Sequence, residues 1–307
     1  MSMHDIKSTP DTFSDIKVST KTYIASSNVD IDIYGLFDCI SVTAYAVAEK
    51  KRGRRKKNAV IPELQHLDEG AVVTVKCEDR IKGVDLNSKK NKKQNWFRNA
   101  ITVVIFIDKF INFKVCKNGT FQLTGCKHVE HAIFCVNYIK DLIIEHQLFV
   151  YKSPTATNDD ITIFIIPSMR NIDFDIGFKI DRQRLYDVLS KNTKLFCLLE
   201  ASFGYTGVNV KIPITKDRHT VPVKKITCNS ANTEYLIIDA MYGEYLDTLD
   251  EAARKMKEKT KYNTFLIFHS GKIILSGISS GLMEDTYYEF VNYLLQSYSE
   301  IKETLYE

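Results

Sequence analysis

The residues whose types and spacing could do chemistry fall into four sets, and most of them point away from catalysis. His128-Val-Glu-His131 puts two imidazoles and a carboxylate within one helical turn, the beginning of a metal site. The spacing is i, i+3 and no further ligand cluster is in view, so the segment reads as an exposed helix start and no metal is expected. Asp30, Asp32, Asp173 and Asp175 are paired carboxylates of the kind used in general acid–base work. Both pairs fall near strand-to-helix junctions, where acidic groups favour a helix N-terminus, and a structural role is expected. The seven cysteines are an odd number with no Cys-x-x-Cys pair, mostly inside apolar runs, as reduced buried thiols would be. The fourth set is basic: Lys50-Lys51-Arg52-Gly53-Arg54-Arg55-Lys56-Lys57 and Lys89-Lys90-Asn91-Lys92-Lys93 concentrate positive charge in two short stretches. The first fits a localisation or polyanion tract as well as a solvated loop. No Ser-His-Asp order, phosphate loop or Cys-His nucleophile signature rises above background. An enzyme is not expected, nor a cofactor.

The elements that must position these residues are announced by a repeat. Phe113-Lys-Val-Cys-Lys-Asn-Gly119-Thr-Phe-Gln-Leu123-Thr-Gly125 recurs as Phe265-Leu-Ile-Phe-His-Ser-Gly271-Lys-Ile-Ile-Leu275-Ser-Gly277, with all three landmark pairs 152 positions apart (271 less 119). Upstream, Asn28-Val-Asp30-Ile-Asp32-Ile33 is echoed by Asn171-Ile-Asp173-Phe-Asp175-Ile176 at an offset of 143 (171 less 28). Downstream, Val136-Asn137-Tyr138 matches Val291-Asn292-Tyr293. Similarity on this scale indicates a duplicated module of domain size rather than a solenoid unit.

Composition agrees with a globular protein: 307 residues with an apolar fraction of 44% and a net charge of +4, too mild by itself to require a polyanionic partner. No apolar run has the length to span a bilayer and the N-terminus lacks a signal-like apolar region, so the expected protein is soluble and intracellular, with no membrane partner. Residues 1–18 read as a flexible polar tail. Residues 19–150 and 151–307 are the two expected repeats, the first with basic loop insertions at 48–69 and 79–95, the second with an insertion at 216–262. Periodicity gives each half the order strand, helix, four strands, helix. In the first half these are Lys21 to Ile33, Leu36 to about Lys51, Val72 to Val75, Ala100 to Ile107, the hairpin about Asn118-Gly119, and His128 to His146. In the second they are Ile161 to Ile176, Arg182 to Ser190, Lys194 to Ala201, Val208 to Ile214, the hairpin about Ser270-Gly271, and a closing helix from about Met283. The insertion holds a strand, Tyr235 to Met241, and a helix, Leu249 to Lys261. Two such halves joined edge to edge make an α+β, pseudo-twofold protein: one antiparallel sheet of about ten strands with helices on one face and the other face bare.

Phe265-Leu-Ile-Phe268-His-Ser-Gly271-Lys272-Ile-Ile-Leu-Ser-Gly277 resembles the strand pair near the end of the TATA-box-binding proteins, and the element order agrees with that family from about residue 20 onward. The likeness is to a divergent member, such as a large DNA virus would carry. It implies a curved saddle with helices on the convex face, whose concave sheet opens a DNA minor groove with aromatic wedges. Position by position, Phe268 matches one wedge, with Leu266, Ile274 and Ser276 beside it. Cys116 stands where the first half should have its wedge, among Lys114, Gln122 and Thr124. Phe97 (after Trp96) and Phe203 are the matches for the wedges at the loops entering the third strands. Lys89, Lys90, Lys92 and Lys93 then become phosphate contacts. The family carries an Asn near the start of each first strand, and Thr22 and Ile165 do not supply it, so altered sequence preference is expected.

By period two, Leu266, Phe268, Ile274 and Ser276 share one strand face, while Phe265, Ile267, Ile273 and Leu275 share the other, toward the closing helix. The function implied is transcription initiation: binding A·T-rich promoter DNA, bending it, and presenting helices to other general transcription factors and the RNA polymerase machinery, in the nucleus or at a cytoplasmic site of viral transcription. The alternative is a saddle-fold interaction adaptor that has lost DNA binding.

Overall fold

The computed structural model describes residues 12–45, 67–86, 98–153, 160–192, 195–199, 207–229 and 234–304. In chain order the elements are β1 (Val18–Ser27), β2 (Val29–Ile31), α1 (Ile33–Cys39), β3 (Val72–Cys77), β4 (Arg80–Gly83), β5 (Ala100–Phe106), β6 (Phe110–Cys116), β7 (Thr120–Cys126), α2 (Val129–Glu145), β8 (Phe149–Tyr151), β9 (Asp160–Asp175), α3 (Arg182–Ser190), β10 (Phe196–Leu199), β11 (Gly207–Pro213), β12 (Pro222–Asn229), β13 (Tyr235–Met241), α4 (Tyr242–Asp247), α5 (Glu251–Glu258), β14 (Tyr262–Phe268), β15 (Lys272–Gly277), α6 (Ser280–Gln296) and α7 (Tyr298–Ile301). The α+β class expected from the sequence is observed. No helix among the described residues is long and apolar enough to cross a membrane.

Two compact units divide the chain. The first holds the described residues of 23–166 and 224–238, the second those of 1–22, 167–223 and 239–307. In the first, strand order is β1-β7-β6-β5-β3-β4. Alternation sends Ile101, Val103, Phe113, Val115, Phe121 and Leu123 to one face, all fully buried against Ala132, Cys135, Val136, Ile139 and Ile143 of α2. Each large side chain so buried contributes about 1.5–3 kcal/mol. In the second, the order is β9-β15-β14-β11-β10, and Phe265, Ile267, Ile273 and Leu275 face α6, with the Phe265 and Phe290 rings 4.1 Å apart.

The hairpin offset of 152 is a structural equivalence. Gly119 and Gly271 both adopt positive φ, 67° and 88°, and a Cβ on either would collide with a carbonyl oxygen, that of Val29 or of Phe178. The flanking echoes, however, slip. Ile31 N donates to Lys117 O at 2.7 Å and Ile180 N to His269 O at 2.9 Å, which sets the first strands at an offset of 149 (180 less 31) instead of 143. Asp32 caps α1 and Asp181, 149 positions on, caps α3, each accepting two backbone N–H bonds. Helices α2 and α6 are both 17 residues long. His131, Ala132, Val136, Ile139, Lys140 and Ile143 correspond in burial to Leu282, Met283, Tyr287, Phe290, Val291 and Leu294 at an offset of 151 (282 less 131). The Val-Asn-Tyr match sits four residues away, one helical turn, which leaves the same face inward and so hides the error.

Four other expectations change. α1 stops at Cys39 instead of running to residue 51, because Lys82 Nζ on β4 donates to the carbonyls of Phe37, Asp38 and Ile40 at 2.8, 2.9 and 3.3 Å. The chain then runs extended, Thr43 N donating to Val72 O at 2.7 Å. The tail expected through residue 18 is docked from residue 12: Phe13 and Ile16 are buried in the second core and the Phe13 and Tyr287 rings lie 5.5 Å apart. Phe13 N also donates to Tyr288 Oη at 3.0 Å, so residues 12–18 are held by backbone as well as apolar contacts. The insertion is not confined to the second repeat, since β12 pairs with residues 160–165 of β9 and buries Ile226 and Cys228 in the first core. Tyr235 of the same insertion lies 3.9 Å, ring centroid to Nζ, from Lys140, a fully buried lysine of α2 that also meets Asp141 Oδ1 at 2.9 Å. Finally, His131 is not an exposed helix start. It is buried 3.0 Å from Asp108 Oδ1, and desolvation holds its pKa below the ordinary histidine value against the opposing pull of Asp108.

Candidate nucleic-acid interface

Each sheet has one face in the core and one outward, and the outward faces carry the residues singled out from the sequence. In the second unit, strand registers line up Leu198, Asn209, Leu266, Ile274 and Asp173 as one cross-strand row, and Phe196, Lys211, Thr264, Ser276 and Asn171 as the next. Phe268 stands opposite Gly207 on β11 and forms one wall of a shallow concavity with Asp173, Asp175, His269, Lys272 and Ile274. Leu266, Phe268, Ile274 and Ser276 are all half-buried. Phe196 and Leu198 are 58% and 56% exposed, so among the described residues this face is apolar and open toward the β10 edge.

The first unit builds the same frame with other chemistry. Its equivalent row is Gln122, Lys114, Thr102, Lys76 and Ile81, followed by Thr124, Asn112, Val104, Thr74 and Gly83. Cys116 stands opposite Ala100, beside a concavity shared with Asp30, Arg98, Asn99, Lys117 and Asn118, at the place Phe268 occupies in the second copy. Burial pushes the Cys116 thiol up, with Lys114 pulling the other way. Thr124 Oγ1 donates to Asn112 O at 2.9 Å. Farther along, part of the face is roofed by the chain itself: Leu67, Val73 and Val104 form a separate buried cluster with Tyr45, Leu86, Phe106 and Phe110. Lys76 is drawn into an ion pair with Asp85 at 2.6 Å.

The structure thus places Leu266, Phe268, Ile274 and Ser276 together on one face, and Lys114, Cys116, Gln122 and Thr124 on the other unit's equivalent face. Phe97, Phe203, Trp96, Lys89, Lys90, Lys92, Lys93 and the basic run 50–57 lie outside the described residues. The four aspartates separate. Asp32 caps a helix, and Asp175 accepts from Gly177 N at 2.9 Å. Asp30 and Asp173 each line one of the two concavities. One functional candidate was missed. At the corrected offset of 149 the partner of Thr22 is Asn171, not Ile165, so the second first-strand does carry an outward Asn. The signal was a shared cap: matching Asp32 to Asp181, each followed by a helix, would have found it.

No protein-family model matches the chain. It is 30% identical over 286 residues to Uncharacterized protein 335L of Invertebrate iridescent virus 6, an alignment covering 91% of this chain and 83% of that one. The chain belongs to the 335L family. This 335L-family chain is also 27% identical over 240 residues to a TATA-box-binding protein-like protein of Acanthamoeba polyphaga mimivirus, covering 66% of this chain and 59% of the mimivirus protein. It therefore spans about three fifths of that relative. Among solved structures, Methanococcus jannaschii TBP covers 92% of the chain at a TM-score of 0.43 and 10% identity. The resemblance read from the Gly-centred hairpins stands, and both sequence relatives of this 335L-family chain are viral.

Proposed function

We propose that the outward sheet faces bind double-stranded DNA through the minor groove, with Phe268 as an aromatic wedge, and that the chain acts in transcription initiation without a catalytic step. The observation that carries this reading is the half-buried row of Leu266, Phe268 and Ile274, left uncovered among the described residues on a unit whose opposite face is fully packed. An apolar ring in such a place can replace a stacking partner between base steps, while the small Ser276 and the apolar Ile274 allow close approach to sugars and the groove floor. The name of the mimivirus relative supports the same class of activity. Lys114 and Lys211 add positive charge on the two faces, which favours a polyanion. In this reading the helices remain for other transcription factors and polymerase, in the nucleus or at a cytoplasmic site of viral transcription.

The test is binding of labelled A·T-rich and G·C-rich duplexes over a salt series, wild type against Phe268→Ala. A steep negative dependence on salt and a loss of at least tenfold on substitution are expected. A second reading, an interaction adaptor with no DNA affinity, is favoured by the self-made roof over the first-unit face and by Cys116 in the wedge position. It predicts no duplex binding at low salt, or equal binding by the variant.

A further inference from the structure

We propose that Asp173 makes the second-unit face prefer a G·C pair at one position of its site, through the guanine N2 amino group; this rests on the minor-groove reading above. The position is defined by the strand registers. Asp173 is exposed on the outward face of β9, opposite Ile274, in the row that continues through Leu266 and Asn209. Asp173 has no hydrogen-bond or ion-pair partner among the described residues. The same position in the first unit, 149 earlier, is the half-buried Ile24, so the carboxylate belongs to this copy and not to the frame.

The minor groove makes the choice chemically sharp. A·T and T·A pairs present only acceptors there, adenine N3 and thymine O2, whereas G·C adds one donor, the N2 amino group. A carboxylate offers acceptor oxygens and nothing else. Against an A·T floor it meets only acceptor lone pairs, which a carboxylate cannot satisfy. Against guanine it accepts a hydrogen bond that no apolar side chain could make. The neighbours are compatible: among the described residues, Asn171 and Asn209 each keep a buried side-chain oxygen without a hydrogen-bond partner. An amide can turn either its oxygen or its NH2 to the groove, so Asn171 and Asn209 tolerate both floors and Asp173 is the group that discriminates.

The experiment uses the full chain and fluorescence anisotropy with an A·T duplex into which one G·C pair is moved stepwise, each compared with inosine·cytosine at the same step. Inosine lacks only the N2 amino group. Wild type is expected to bind one G·C placement about tenfold more tightly than its inosine counterpart. Asp173→Val should abolish that difference and tighten binding to the all-A·T duplex, and Asp173→Asn should keep part of it. Both variants lie on an exposed position, and their thermal melts should match wild type. Duplex binding with no guanine-over-inosine preference at any step, or a preference that survives in Asp173→Val, overturns the proposal while leaving the minor-groove reading intact. Failure of every duplex to bind at low salt overturns both.

Discussion

Turned inward, the two units are nearly interchangeable: Phe113, Val115, Phe121 and Leu123 in one do the work of Phe265, Ile267, Ile273 and Leu275 in the other, each set fully or almost fully buried under a 17-residue helix. Turned outward, they part. The second shows Leu266, Phe268, Ile274 and Ser276 where the first shows Lys114, Cys116, Gln122 and Thr124, and the first is partly covered by its own loops. At the first strand the polarity reverses, with Ile24 in the first copy and Asp173 in the second. Close packing holds the inward set, since a core tolerates little change in volume. The outward set is free of that constraint, and it is there that the two copies have diverged.

The comparison can be strained most severely at the turns. Gly119→Ala and Gly271→Ala should each cost about 2–4 kcal/mol, because positive φ and a blocking carbonyl oxygen are common to both. Urea unfolding checks this, and a marked loss at only one turn would break the equivalence. Next comes the wedge position. Phe268→Ala should weaken duplex binding at least tenfold while Cys116→Ala changes it less than about twofold, and Cys116→Phe should strengthen it about fivefold. Anisotropy titration reads all three, and equal losses at the two positions would remove the asymmetry. The caps are subtler: Asp32→Ala and Asp181→Ala should each cost about 1 kcal/mol by thermal unfolding.

The smallest effect is one of pH, and it belongs to the first unit alone, because the position of His131 is filled in the second by Leu282. Desolvation lowers the histidine's pKa in the folded chain, so the unfolded chain binds more protons between that value and about 6.5. Stability is therefore complete above about pH 6.5 and declines as pH falls through the folded value. The urea midpoint should drop between pH 7.5 and 5.5, less so in His131→Gln.

What could be read in the sequence was whatever local pattern decides. The hairpins were legible because strict alternation and a glycine at the turn are both written in the chain, and α3 and β13 had bounds that periodicity alone supplies. The end of α1 was not, since it is set by Lys82 reaching over from another strand. The short charged β4 and the lysine-interrupted β12 lack the apolar alternation that marks a strand, and only pairing with β3 and β9 makes them strands. Asn171 was hidden by an alignment that a neighbouring run of alternating aspartates made attractive. Phe268 and its face were legible from alternation; that Asp173 shares that face follows only from the register of β9 with β15.

The borrowed strand β12 also bears on how the protein comes into being. Ribosomes deliver the chain from its N-terminus, and domains tend to fold as they emerge. Here the first unit is not complete with its own half of the gene: until residues 224–238 appear, residues 160–165 of β9 lack the β12 pairing, Ile226 and Cys228 are missing from the core, and Lys140 lacks the Tyr235 ring. A strand encoded in the later half thus completes the first unit, which finishes only after residue 238 has been synthesised.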